Sequence, residues 1–174
     1  MIFATCGSSH YPFERMMAAL AALNVEDLHI QHGPATPPAC TRAYRFLPFE
    51  DLLEQMRTAD VVVTHAGVGS ILGAIRMGQT PVVFPRLKRY SEAVDDHQSE
   101  LAEVLAERGT AFVARSSEEL VDAIKSIPAR AAAPQVQARA LIDAVRATII
   151  GAPLRAVPLE IDQLSARLTR IGVG

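Results

Sequence analysis

The sequence predicts an α/β fold, a parallel sheet covered by helices on both faces. Short apolar runs alternate with segments of helical period along the chain. One run, DVVVT at Asp60 to Thr64, has three consecutive β-branched apolar residues, as in a strand buried on both faces. Glycine-rich turns join runs to helical segments, at Gly7 and again at Gly67 and Gly69.

The elements follow in order. Met1 to Cys6 reads as a strand ending at Gly7, and Phe13, Met16, Met17, Leu20 and Leu23 then make one helical stripe. Leu28 to Gln31 is a second short strand closed by His32-Gly33-Pro34, with a loop around Thr36 to Pro38. Tyr44 to Leu47 is the expected third strand and Phe49 to Thr58 the next helix, carrying Leu52, Leu53 and Met56. After Asp60 to Thr64 a short helix is expected over Ser70 to Met77, with Gly78 as its C′ residue. Pro81 to Phe84 is a strand, Pro85 to Ser91 a polar loop, and Glu92 to Arg108 a helix that buries Val94, Leu101, Val104 and Leu105 before Gly109. Ala111 to Ala114 is the last strand, and Ser116 to Glu119 matches the S-x-x-E capping box of a helix with Leu120, Val121 and Ile124. An Ala- and Arg-rich helix is expected from Gln135 to Ile149, then a tail of isolated apolar residues from Gly151. These boundaries give a domain over residues 1–128 and a C-terminal helix and tail over 129–174, the latter a candidate docking segment.

A length of 174 residues and an apolar share of 49% suit one α/β domain with a hydrophobic core. The net charge of −2 offers no general attraction to nucleic acid or to an anionic membrane, so any phosphate recognition must be local. Cys6 and Cys40 are too few for a disulfide scaffold and lack zinc-ligand spacing, which fits a reducing, cytoplasmic setting and no metal. The N-terminus has no basic segment before its apolar residues and reads as a strand rather than a signal peptide.

In open parallel sheets, ligands bind where strands end and helices begin. Two such junctions are built of small residues, Gly7-Ser8-Ser9 and His65-Ala66-Gly67-Val68-Gly69-Ser70. Glycine admits close backbone approach, and a helix N-terminus favours a phosphate. The second junction is not a dinucleotide fingerprint, since Leu72 stands where G-x-G-x-x-G needs glycine or alanine. Neither G-x-x-x-x-G-K-[ST] nor G-x-S-x-G occurs.

The ordered set THAGVGS, MGQTPVVFPR and DDHQ (Asp95 to Gln98) resembles the family 28-like C-terminal, donor-binding domain of GT-B glycosyltransferases. Within that group it is most similar to the catalytic subunits of two-subunit dolichol-pathway N-acetylglucosaminyltransferases and their bacterial exopolysaccharide counterparts. TCGSS-x-x-x-F, Gln31-His32-Gly33 and FLPFEDL (Phe46 to Leu52) add to the likeness, which covers about Met1 to Lys125. It implies a Rossmann-like, single GT-B donor-binding domain.

The resemblance implies that Gly67, Val68, Gly69 and Ser70 hold a UDP diphosphate and that His65, the expected catalytic residue, donates an imidazole N–H to it. Gly7, Ser8 and Ser9 form the facing loop, and Phe46 and Leu47 lie by the uracil. Asp96, His97 and Gln98 contact donor-sugar hydroxyls, while Arg86, with Lys88 and Arg89, offers positive charge without a metal. One position departs: where relatives carry a ribose-binding glutamate, this chain has Gly73.

The activity implied is inverting glycosyl transfer from a UDP-sugar, with no cofactor. The expected partners are a membrane-associated acceptor-binding glycosyltransferase subunit and a lipid-linked sugar acceptor, with no nucleic acid; the chain would sit in the cytoplasm, peripheral to the membrane through that subunit. Two alternatives stay open, a nucleotide-sugar hydrolase or epimerase relative and a non-catalytic nucleotide-sugar-binding module.

Overall fold

The computed structural model describes residues 1–107 and 109–127. Its strands are β1 (Ile2–Thr5), β2 (Leu28–Gln31), β3 (Arg42–Tyr44), β4 (Val61–Thr64), β5 (Val82–Val83) and β6 (Phe112–Val113). They form one sheet, parallel throughout, in the order β3-β2-β1-β4-β5-β6. The helices are α1 (Glu14–Ala21), α2 (Phe49–Thr58), α3 (Val68–Arg76), α4 (His97–Glu107) and α5 (Ser117–Ser126). The expected α/β, Rossmann-like architecture is observed. The expected helix from Gln135 and the tail lie outside the described residues. No helix among the described residues is long and apolar enough to cross a membrane.

Alternation along the strands divides the core. Ala4, Cys6, Val63 and Val82 pack under α1 and α5 with Met16, Leu20 and Leu120. Phe3 and Val62 face the other way, under α2 with Leu52 and Met56, and Val83 meets Leu101 and Leu105 of α4. β4 is buried along its whole length, which is why its three consecutive valines suit both faces.

Several boundaries differ from the sequence expectation. The third strand is Arg42–Tyr44, not Tyr44 to Leu47: Tyr44 is the last residue in register, and the Leu47 N–H leaves the ladder for the Gln31 side chain. Arg42 and Ala43 are exposed on this edge, so no apolar signal marked them. The α3 helix begins at Val68, two residues early, because Gly67 serves as N-cap and its carbonyl accepts from Ser70 and Ile71. The α4 helix begins at His97, not Glu92. Ser91 takes a left-handed φ of 57°, and Val94 is 69% exposed rather than buried.

Other local expectations hold in detail. Ser116 Oγ accepts from Glu119 N at 3.2 Å, capping α5. Gly78 (φ 79°) follows α3 in a Schellman arrangement, with Gly78 N donating to Ile75 O and Gln79 N to Ala74 O. The Gln79 amide then donates to Met56 O and Ala59 O, joining the end of α3 to the end of α2.

The segment between β5 and α4 is fixed from within. Arg86, expected in a polar loop, is 1% exposed. Its guanidinium donates to the carbonyls of Cys6 (2.9 Å), Tyr11 (3.0 Å) and Glu92 (3.0 Å) and lies 4.5 Å from the centroid of Phe13. The Glu92 carboxylate turns inward to Arg15 (2.9 Å) and Leu87 N (3.0 Å), which is why its residue cannot start the helix. Replacing Arg86 with Met should therefore remove about 3–5 kcal/mol of stability, as for other buried charge networks that lose one member. Urea unfolding checks this; a loss under 1 kcal/mol would count against a supporting role for Arg86.

Candidate functional site

The strand order reverses direction at β1: β2 and β3 extend to one side, β4, β5 and β6 to the other. Chains leaving β1 and β4 therefore part above the sheet and leave a crevice, the usual ligand position in such folds. β1 and β4 pair in register from Ile2↔Val61 to Thr5↔Thr64, so both following loops start at one level. Those loops are the two small-residue junctions picked out in the sequence.

His65 sits between them. Its backbone N–H donates to Thr5 O at 3.2 Å, and its ring lies against two glycines. A Cβ at Gly7 would stand 2.3 Å from the ring's Cε1, and one at Gly67 would stand 2.1 Å from Nε2. Both glycines are thus needed to seat the imidazole, and Gly7 also requires its φ of 74°. Gly69 differs: a Cβ there would meet nothing within 4 Å, so its surface faces open space at the start of α3.

Burial and, second, the Arg86 charge push the His65 pKa down to about 4, opposed weakly by the Thr5 backbone. The ring is neutral at physiological pH, with one N–H to donate. Nδ1 is buried without a partner of hydrogen-bond geometry among the described residues. At the helix start, Ser70 N is taken by Gly67 O at 3.1 Å, so the first-turn N–H groups left for an anion are those of Val68 and Gly69. Ser70 itself is 9% exposed. The helix dipole and these donors favour negative charge without a positive histidine.

A groove of about 600 Å³ opens beside this point, lined by Gly7, Ser8, Ser9, His10, Gly33, Pro34, Arg45 and Phe46. Phe46 is 64% exposed on its rim, while the Leu47 side chain points into the core beside Phe3 and Leu52. The structure thus brings together Gly7, Ser8, Ser9 and Phe46 around one groove, and packs His65 against Gly7.

The remaining expected residues lie around the β5–α4 segment. Asp96 Oδ1 accepts from Lys88 N at 2.9 Å, and Asp96 O accepts from Ser99 N, which starts α4. His97 is exposed, with Nδ1 3.0 Å from Asp95 Oδ1. Gln98 Oε1 accepts from Arg86 N at 3.3 Å. Lys88 and Arg89 are exposed, whereas Arg86 lies beneath the loops and acts on His65 through its charge. Cys6 is a buried neutral thiol, its pKa pushed up to about 12 by burial.

Gly73 faces α2: a Cβ there would stand 3.1 Å from Leu53 Cδ2 and 3.4 Å from Met56 Sδ. A side chain at this position begins among apolar atoms of the neighbouring helix.

Two participants escaped sequence reading. Arg45 lines the groove from an exposed segment with no periodic or motif signal. Gln31, noted only as part of a turn, is 2% exposed and bonds Gly7 O and Leu47 N. A polar residue at the last, enclosed position of a strand was the available clue.

A family model described as the glycosyltransferase family 28 C-terminal domain matches residues 1–149. The UDP-N-acetylglucosamine transferase subunit ALG13 of Yarrowia lipolytica (strain CLIB 122 / E 150) is 30% identical over 122 residues, covering 60% of this chain and 60% of that protein. The UDP-N-acetylglucosamine--N-acetylmuramyl-(pentapeptide) pyrophosphoryl-undecaprenol N-acetylglucosamine transferase of Phenylobacterium zucineum (strain HLK1) is 32% identical over 103 residues, covering 55% of this chain and 27% of that protein. The chain therefore spans less than two thirds of the length of these curated relatives. The crystal structure of CalG4, the calicheamicin glycosyltransferase, shares the fold with a TM-score of 0.59 at 18% identity, over 99% of this chain and 44% of that one.

The neutral state of His65 is open to measurement. The unfolded histidine binds a proton near its ordinary 6.5 and the folded one only near 4, so the unfolded chain takes up the proton first. Stability due to this group is full above about pH 6.5 and is lost as pH falls toward 4, by on the order of 3 kcal/mol. Denaturant titrations at pH 7 and pH 4.5 should show that loss in the natural chain and a smaller one in His65→Asn. Equal pH dependence of the two proteins would mean that His65 titrates normally.

Proposed function

The chain belongs to the glycosyltransferase family 28 C-terminal domains, and from that membership we propose that it is the donor-binding, catalytic subunit of a UDP-sugar-dependent glycosyltransferase. The observation that carries the reading is the meeting of the Gly7–Ser9 loop, His65 and the open start of α3 at the reversal of strand order. Further support comes from the two relatives, both named for transfer of N-acetylglucosamine from its UDP derivative, one of them as a subunit.

In this reading the diphosphate lies over the N–H groups of Val68 and Gly69, with the neutral His65 donating its single N–H. Placing preorganised donors where a leaving group gains charge is the largest contribution such a site makes. Ser8 and Ser9 flank the diphosphate, Phe46 offers its exposed ring to the uracil, and Asp96, His97 and Gln98 approach the sugar. The reaction proceeds with inversion: the acceptor oxygen bonds to the anomeric carbon opposite the diphosphate, and the electron pair of the broken C–O bond leaves with UDP. The acceptor proton goes to a base on a second, membrane-associated subunit that presents a lipid-linked sugar. That subunit holds this chain at the cytoplasmic face, with residues 129–174 as its docking segment.

Gly73 favours one other reading, a nucleotide-sugar-binding module without transfer activity, because the resemblance calls for a ribose-binding carboxylate where Leu53 and Met56 close in. Transfer assays separate the two. With the acceptor subunit present, labelled sugar should pass from UDP to a lipid-linked acceptor; without it, rates should fall by about 10²- to 10⁴-fold, the usual worth of a positioned base. Binding of UDP-sugar without transfer in either preparation would leave only the module.

The phosphate site has its own test. Since Gly69 has open space where a Cβ would go, Gly69→Val should unfold at nearly the same temperature as the natural chain yet lose UDP binding by at least about tenfold through steric exclusion. Unchanged UDP affinity by calorimetry would move the diphosphate away from α3.

A further inference from the structure

Gln31 ends β2, where its side chain is enclosed at 2% exposure. Its Nε2 donates to Gly7 O at 3.1 Å and its Oε1 accepts from Leu47 N at 3.2 Å. Gly7 O can only accept and Leu47 N–H can only donate, so the amide has one orientation and both of its ends are committed. The two bonded segments are opposite walls of the groove. Gly7 opens the wall that continues through Ser8, Ser9 and His10; Leu47 follows Arg45 and Phe46 of the other.

These walls are 40 residues apart in sequence, 7 against 47, and neither belongs to a strand or helix at that point. Backbone bonds from Cys6 N to Gln31 O and from His32 N to Tyr44 O anchor both walls to β2, but the ladder stops at Tyr44, short of Leu47. The Gln31 amide spans them directly. Its planar geometry fixes the distance from the loop beside His65 to the exposed Phe46 ring, and it does so from below, without facing the groove.

We propose that Gln31 is a positioning residue for the nucleotide donor, setting the span between the diphosphate wall and the base wall. This inference rests on the donor-site reading above. A ligand that touches both walls gains from their fixed separation, because binding at one wall presents the rest of the molecule to the other. A ligand that touches one wall gains nothing. The consequence is a pattern of affinities that loss of fold stability alone would not produce.

The experiment titrates the full chain and its Gln31→Met variant with UDP, uridine and inorganic pyrophosphate. Methionine keeps the volume and removes both bonds. UDP affinity should fall by about tenfold or more, while uridine and pyrophosphate each change by less than about threefold. Gln31→Glu, which keeps the bond to Leu47 N and loses the one to Gly7 O, should show the same pattern and is read in its place where the methionine variant does not fold. Natural-chain binding of UDP with no loss in either variant overturns the role of Gln31 and leaves the donor site standing. Parallel losses for all three ligands also overturn it, marking Gln31 as structural only. A natural chain that binds no UDP removes the donor site and this inference together.

Discussion

Everything above the sheet rests on a buried guanidinium. Arg86 reaches from the end of β5 to the carbonyls of Cys6, Tyr11 and Glu92, so one side chain holds the exit of β1, the approach to α1 and the approach to α4. Carbonyls in loops have no ladder to satisfy them, and leaving them dry is costly. A lysine has a single nitrogen and would not bridge three points so far apart; the planar fork of arginine does. The same charge acts on His65 from beneath the loops and helps to keep it neutral. Scaffold and site electrostatics therefore have a common origin, and the cation that shapes the site need not touch what the site holds.

The glycines give a second lesson about cause. In sequence, Gly7, Gly67 and Gly69 look alike, three small residues at strand ends that make room for a ligand. Sterically they divide. Gly7 and Gly67 make room for His65, whose ring occupies the volume that their side chains would take, and only Gly69 borders open space. A motif read as a phosphate cradle is first a seat for an imidazole. The donor N–H groups follow from where that seat puts the start of α3.

What the sequence made legible was whatever one-dimensional pattern encodes. The three valines of β4, the apolar run of β1, the serine cap of α5 and the glycine after α3 each rest on local physics, and each appears where expected. The misplaced elements depend on partners distant in the chain. Glu92 has good helix propensity but is drawn inward by Arg15, 77 residues away, and so α4 starts five residues late. β3 is an exposed edge, so its register comes from pairing with β2 and not from apolar spacing. Gln31 looks like a routine strand end until the two backbone groups that it joins are seen in space.

Gln79 has a mechanical effect on the rim that its position hides. Its amide clasps Met56 O and Ala59 O at the far ends of α2 and α3, while midway along the pair Gly73 lets Leu53 and Met56 sit close. The two helices are thus pinned at the base and in contact at the middle, like the arms of a pair of callipers with a tightened joint. Phe49 begins one arm and Val68 the other, so how far apart those tips stand is governed by contacts at the opposite end of the helix pair.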